Sequence, residues 1–145
     1  MITPVHADAL TVANDLRPVL VRLGRGLRKE AEQLGVTSRQ AALLALVHSS
    51  PGITASELSV EEGVSPPAMT KQVDRLEKAG IVRRIRSTED RRRVGLELTP
   101  DGDALLVSVK ARRTSWLADR LDRLDPGDLE AIEQLLPVLQ RLTKA

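Results

Sequence analysis

"SPPAMTKQVDRLEKAGIVRRIRSTEDRRRVGLELTPDG", from Ser65 to Gly102, is the stretch that decides the fold. Ser65 reads as a helix cap, and Pro66 suits the first turn because its missing amide would be unpaired there anyway. Met69, Val73 and Leu76 recur at helical spacing and form an inward stripe. Thr70, Lys71, Asp74, Arg75 and Lys78 fall off that stripe, and Gly80 ends the helix after about Ala79. Ile81 to Arg86 alternates imperfectly, whereas Val94, Leu96 and Leu98 share one face of a strand. Between the two lies "STEDRRR", polar and charged, the tip of a hairpin. Thr99-Pro100-Asp101 then combines a cap, a first-turn proline and an acid at the positive end of the helix dipole, and so opens another helix.

Upstream, "TASE" (Thr54 to Glu57) is a capping box and starts a short helix through about Glu62. Gly63-Val64-Ser65 turns the chain into the helix that begins at Pro66. Two short helices joined by a tight glycine-containing turn are what a helix-turn-helix looks like, whose second helix would enter the DNA major groove. On this pattern alone an ordinary helical hairpin with a solvated outer face is the alternative. A second capping box, "TSRQ" (Thr37 to Gln40), opens a helix to about His48. Before it, Leu16, Leu20, Leu23 and Leu27 mark a helix from about Ala7 to Gln33. Pro18 is expected to kink or interrupt it, and Gly35 to stop it. Gly24 and Gly26 read as small residues that permit close helix contact. Downstream, Leu105, Val109, Leu117, Leu121 and Leu124 give the long helix an apolar side, and Asp125-Pro126 repeats the start signal. Leu129, Ile132, Leu136, Leu139 and Leu142 stripe the last helix, with a bend expected at Pro137.

The fold class expected is mainly α with a small β-hairpin wing: a winged helix-turn-helix plus a helical dimerisation region. Residues 1–145 form a single domain, with a DNA-binding lobe over 37–99 and dimerisation helices over 1–34 and 100–145. The terminal leucine stripes exceed what a chain this short can bury alone, so Leu16, Leu20, Leu129, Ile132, Leu136 and Leu139 are expected in a homodimer contact.

Composition limits the function. The 145 residues include no Cys, Phe or Tyr and a single Trp. Disulfides and thiol chemistry are therefore excluded, and the core must be aliphatic. Binding of single strands by aromatic stacking is disfavoured. No apolar run reaches the length of a membrane span, and "MITPVHADAL" lacks a secretory pattern, so a cytoplasmic protein is expected. His6 and His48 stand without metal-ligand spacing, and no glycine-rich phosphate loop is present, so neither enzyme, metal nor cofactor is indicated.

Charge points elsewhere. The net charge is +2, but Ser65 to Leu96 carries nine bases against four acids. Such asymmetry fits an anionic partner. The candidate recognition-helix contacts to double-stranded DNA are Ser65, Pro67, Thr70, Lys71, Gln72 and Arg75, with the helix N-terminus offering amides to a phosphate. In the wing they are Arg86, Ser87, Arg91, Arg92 and Arg93. Arg92 is placed in the minor groove, and Arg91 and Arg93 on phosphates beside it. Asp90 has the wrong sign for DNA and is read as a salt-bridge partner that orients an arginine.

These segments resemble the MarR family of bacterial transcription regulators, most specifically in "DRLEKAGIV", "DRR" and "LTPDG". The resemblance implies a homodimer on a pseudo-palindromic operator, with the first and last two helices forming the dimer. It also implies repression of neighbouring genes, relieved by small phenolic or other anionic ligands. Its recognition helix falls on Ser65 to Ala79, its wing on Val82 to Leu98, and its Asp-x-Arg element on Asp90 and Arg92. Pro66-Pro67 is an unusual opening for such a helix. Ligand residues stay unassigned, since Arg22, Arg112 and Trp116 compete with other arginines. A winged-helix protein-protein adaptor is the alternative, although it has no need of three arginines at a wing tip.

Overall fold

The computed structural model describes residues 6–144, so positions 1–5 and 145 of the expected dimerisation segments lie outside it. The elements follow in the order α1 (Ala9–Glu32), α2 (Ser38–Ser49), β1 (Ile53–Thr54), α3 (Ala55–Glu62), α4 (Pro66–Lys78), β2 (Val82–Arg86), β3 (Val94–Leu98), α5 (Pro100–Leu121) and α6 (Pro126–Leu142). Local chemistry sets most of these boundaries. The Thr37 hydroxyl accepts from the Gln40 amide at 3.1 Å, and the Gln40 side chain accepts from the Thr37 amide at 3.0 Å. This reciprocal box opens α2. Ser65 caps α4 with an oxygen 3.3 Å from the Ala68 amide, and Thr99 caps α5 at 3.1 Å from the Gly102 amide.

α1 and α6 run unbroken through Pro18 and Pro137, where interruption or bending was expected. Each proline removes one backbone donor. The acceptors left without it, on Asn14 and Glu133, belong to exposed residues that water can reach.

The expected hairpin is the larger part of a three-stranded antiparallel sheet, ordered β1-β3-β2. In the wing, Val82 pairs with Leu98 and Arg86 with Val94. The added strand β1 pairs Ile53 with Leu96 and Thr54 with Gly95. Gly95 permits this, because a Cβ there would meet the Gly52 carbonyl oxygen at 2.6 Å.

Leu43, Leu44 and Val47 of α2 pack with Ile53, Leu58, Met69, Val73, Leu76, Val82, Leu96, Leu98 and Leu106 in one aliphatic core. The inward stripe of α4 is as expected. In α5 the deepest side chains are Leu106 and Val109, with Leu105 half-buried; Leu124, expected on the same helix, lies beyond its end and is exposed. Ala31, Val36, Ala41 and Val109 form a second cluster that seats α1 and α2 on α5. Further along, Trp116 lies on Gly26, where a Cβ would come within 1.9 Å of the indole. The Arg113 Nε donates to the Leu27 carbonyl at 3.2 Å, and the Arg120 guanidinium stacks 3.6 Å from the indole centroid. Small residues on α1 thus admit a bulky one from α5.

The start of α5 is locked to the end of α4. Thr99 donates its amide to the Ile81 carbonyl at 3.0 Å and its hydroxyl to the Gly80 carbonyl at 2.5 Å. A Cβ on Gly102 would sit 2.1 Å from that same Ile81 oxygen, which is backbone and cannot swing away. Gly102→Ala is therefore expected to cost about 1–3 kcal/mol, the range for forced overpacking. A fall of several degrees in Tm, followed by circular dichroism, checks this.

Candidate nucleic-acid interface

α3 and α4 form the helix-turn-helix, and β2, β3 and the loop between them form a wing beside it. Tertiary contacts divide the arginines of this region into two groups. Arg83 pairs across the sheet with Glu97, its Nε donating at 2.6 Å. Arg84 turns from β2 toward α4 and reaches Asp74 at 2.7 Å and Glu77 at 2.5 Å. Arg93 is 2.7 Å from Glu57 of α3 and also donates to the Gly52 carbonyl at 3.3 Å. Arg75, Arg86, Arg91 and Arg92, like Lys71 and Lys78, are exposed and make no ion pair among the described residues. These six cations are free to meet an external anion.

Arg93 therefore stands differently from its two neighbours. It was expected on a phosphate, and it braces the base of the wing instead. Glu57 completes the brace, and for that reason the "TASE" box is only half formed. The Thr54 hydroxyl accepts from the Glu57 amide at 3.1 Å, but the Glu57 carboxylate turns to Arg93. Hydrogen bonding from Arg93 holds that carboxyl below its ordinary pKa against a smaller opposing effect of burial.

Asp90 also corrects the sequence reading, for among the described residues it makes no salt bridge. Its Oδ1 accepts from the Arg92 backbone amide at 3.0 Å, and its carbonyl accepts from the Arg93 amide at 3.0 Å. Both bonds are local, two and three residues along the chain, so the side chain shapes the turn that carries Arg91 and Arg92. Ser87 works with it, its hydroxyl oxygen accepting from the amides of Glu89 and Asp90 at 3.2 Å each. The tip is a tied turn with two arginines on it.

The N-terminus of α4 holds a second correction. Its first turn, Pro66 to Met69, offers no free amide to a phosphate. Pro66 and Pro67 have none, the Ala68 amide is taken by Ser65, and the Met69 amide donates to the Ser65 carbonyl at 2.9 Å. What this end presents is apolar ring and methyl surface. Thr70 is exposed, but its hydroxyl donates back to the Pro66 carbonyl at 3.0 Å, so its oxygen is left as an acceptor and its methyl as an apolar contact. Gln72 is half-buried. Among the described residues no group of histidines and carboxylates could hold a metal ion, and no helix is long and apolar enough to cross a membrane.

The MarR family model matches residues 36–94, which span the helix-turn-helix and the loop of the wing. The HTH-type transcriptional regulator ML2140 of Mycobacterium leprae is 31% identical over 131 residues, covering 90% of this chain and 92% of that one. The chain belongs to the MarR family. It is accordingly a DNA-binding transcription regulator and not an enzyme. The HTH-type transcriptional repressor MdtR of Bacillus subtilis, another similar protein, is 31% identical, covering 79% of this chain and 74% of its own. The crystal structure of YusO from Bacillus subtilis superposes with a TM-score of 0.72 at 28% identity, covering 96% of this chain and 99% of that one. The winged-helix architecture of MarR regulators thus extends over nearly the whole chain.

Proposed function

We propose that this MarR family regulator binds a pseudo-palindromic operator as a homodimer and represses transcription in the cytoplasm. The observation that carries the DNA-contact assignment is the partition of cations. Lys71, Arg75 and Lys78 on α4 and Arg86, Arg91 and Arg92 on the wing stay unpaired among the described residues, while Arg83, Arg84 and Arg93 are neutralised by carboxylates. Residues 37–99 form the DNA-binding lobe. α4 lies in the major groove, with Pro67 and the Thr70 methyl against thymine methyls, and with Gln72 and Arg75 toward base edges or phosphates. The wing tip puts Arg92 into the minor groove and Arg91 on a phosphate, while Ser87 ties the turn that aims them and Ser65 caps the helix that enters the major groove. Repression follows the similarity to MdtR, named as a repressor.

The helices outside that lobe form the dimer. α6 buries no residue, and Leu129, Leu136 and Leu142 are 41%, 47% and 69% exposed. Leu20 on α1 is 51% exposed, beside half-buried Leu16, and Ile132 and Leu139 are half-buried on α6. Two leucine-striped surfaces on one small chain are satisfied together by a second copy, which sets two recognition helices about 34 Å apart on one face of B-DNA. A small phenolic or other anionic ligand between lobe and dimer helices relieves repression by favouring one lobe spacing over another.

Fluorescence anisotropy tests this reading, with labelled duplexes from the gene's own upstream region against scrambled duplexes. Arg92→Ala and Thr70→Ala are each expected to weaken specific binding by about 5- to 150-fold, the cost of losing one good contact. Binding to neither duplex at low salt would instead favour the adaptor. Leu136→Asp places a charge on the proposed interface, and sedimentation equilibrium should then find a monomer.

A further inference from the structure

A carboxylate interrupts the cationic row of α4. Asp74 lies three residues after Lys71 and four before Lys78, on the same outward stripe, and Glu77 follows one turn later. Both carboxylates would repel a phosphate backbone if left alone. Arg84 answers both from another element: its Nη2 donates to Asp74 Oδ1 at 2.7 Å and its Nη1 to Glu77 Oε1 at 2.5 Å. The Arg84 side chain is 31% exposed, less than the 51% of Asp74 and 41% of Glu77 that cover it. Arg84 is thus held inward against α4, while Arg86, two residues on, makes no ion pair among the described residues.

We propose that Arg84 is a positioning residue for DNA binding, acting through Asp74 and Glu77 rather than on DNA itself. It cancels the Asp74 carboxylate with one arm of its planar fork and the Glu77 carboxylate with the other, both on the helix that enters the groove. A lysine could not do both, because its single ammonium is a point charge without the fork. This role rests on α4 being the recognition helix. Partly exposed ion pairs add little to stability. The consequence of losing Arg84 therefore appears in affinity, with Tm nearly unchanged.

The test uses the full chain and a labelled duplex enriched by the wild type from a random pool. Arg84→Met should weaken binding at least about tenfold, since it leaves like charges facing each other across the interface. Arg84→Lys should fall between the two. Asp74→Asn with Glu77→Gln should bind about as tightly as wild type. Adding those two changes to Arg84→Met should restore affinity to within about threefold of wild type, because no carboxylate is left to cancel. Two outcomes overturn the inference: Arg84→Met binding as tightly as wild type, or a loss that the triple variant does not recover. The second would mean that Arg84 touches DNA or holds the fold. A loss of about two units in the salt slope, one from each protomer of the dimer, together with an unchanged Tm would identify the DNA contact. If Arg84→Met fails to fold, Arg84→Lys with and without Glu77→Gln decides the same question by the same recovery. A wild type that enriches no sequence overturns the DNA-contact reading, and this inference with it.

Discussion

Raising monovalent salt from about 50 to about 200 mM is expected to weaken operator binding by about a thousandfold or more. Each phosphate that a Lys or Arg neutralises releases condensed counterions, and added salt opposes that release. Six cations in the α4 and wing region have no ion-pair partner among the described residues: Lys71, Arg75, Lys78, Arg86, Arg91 and Arg92. A dimer doubles that set, so engagement of only half of it reaches the range of about 6–10 phosphate contacts over which such losses occur. Anisotropy titrations across a potassium chloride series give the slope of log affinity against log salt. Replacing a phosphate-bound cation such as Arg91 removes one contact from each protomer of the dimer, so the slope should become shallower by about 1.8, roughly 0.9 per contact. Arg93→Ala should leave it nearly unchanged, because the Arg93 charge is already satisfied by Glu57 at 2.7 Å. A slope no steeper than about two would contradict the assignment, because it corresponds to only about two neutralised phosphates.

Leu44→Ala is expected to remove about 2–5 kcal/mol of stability. Leu44 is fully buried and sits where α2 meets the common core of α3, α4 and the sheet. Truncating it removes apolar contact on several sides and leaves a cavity that backbone elements on both sides keep from collapsing. Urea unfolding should show the midpoint falling with an unchanged slope, at matched protein concentration since a dimer makes the midpoint depend on it. A loss below about 1 kcal/mol would mean that the site repacks freely, contrary to an interior of native density.

Both expectations draw on features of different legibility. The unpaired cations were visible as a charge run, and the core stripe Met69, Val73, Leu76 was visible as periodicity. Helix starts at Ser38, Ala55, Pro66, Pro100 and Pro126 could be placed because each is marked locally by a cap or a proline. β1 could not, since a two-residue strand has no alternation to detect and exists only because Gly95 lets the chain cross close by. The free-amide reading of the α4 start failed for a reason that was available in the sequence. Two prolines and a serine cap leave no donor within the first helical turn, Pro66 to Met69.

The sequence by itself determined the helix order, the aliphatic core, the wing and the excess of positive charge around it, because capping, periodicity and composition act over a few neighbouring residues. Only the tertiary structure decided which of those positive charges are available. Arg83 meets a carboxylate 14 residues away and Arg93 bonds a carbonyl 41 residues away. Asp90, next to the arginines in the chain, turns to a backbone amide instead. An ion pair depends on where two side chains arrive in space, and chain proximity does not fix that. The sorting of the arginines into braces and free cations is therefore a property of the folded chain.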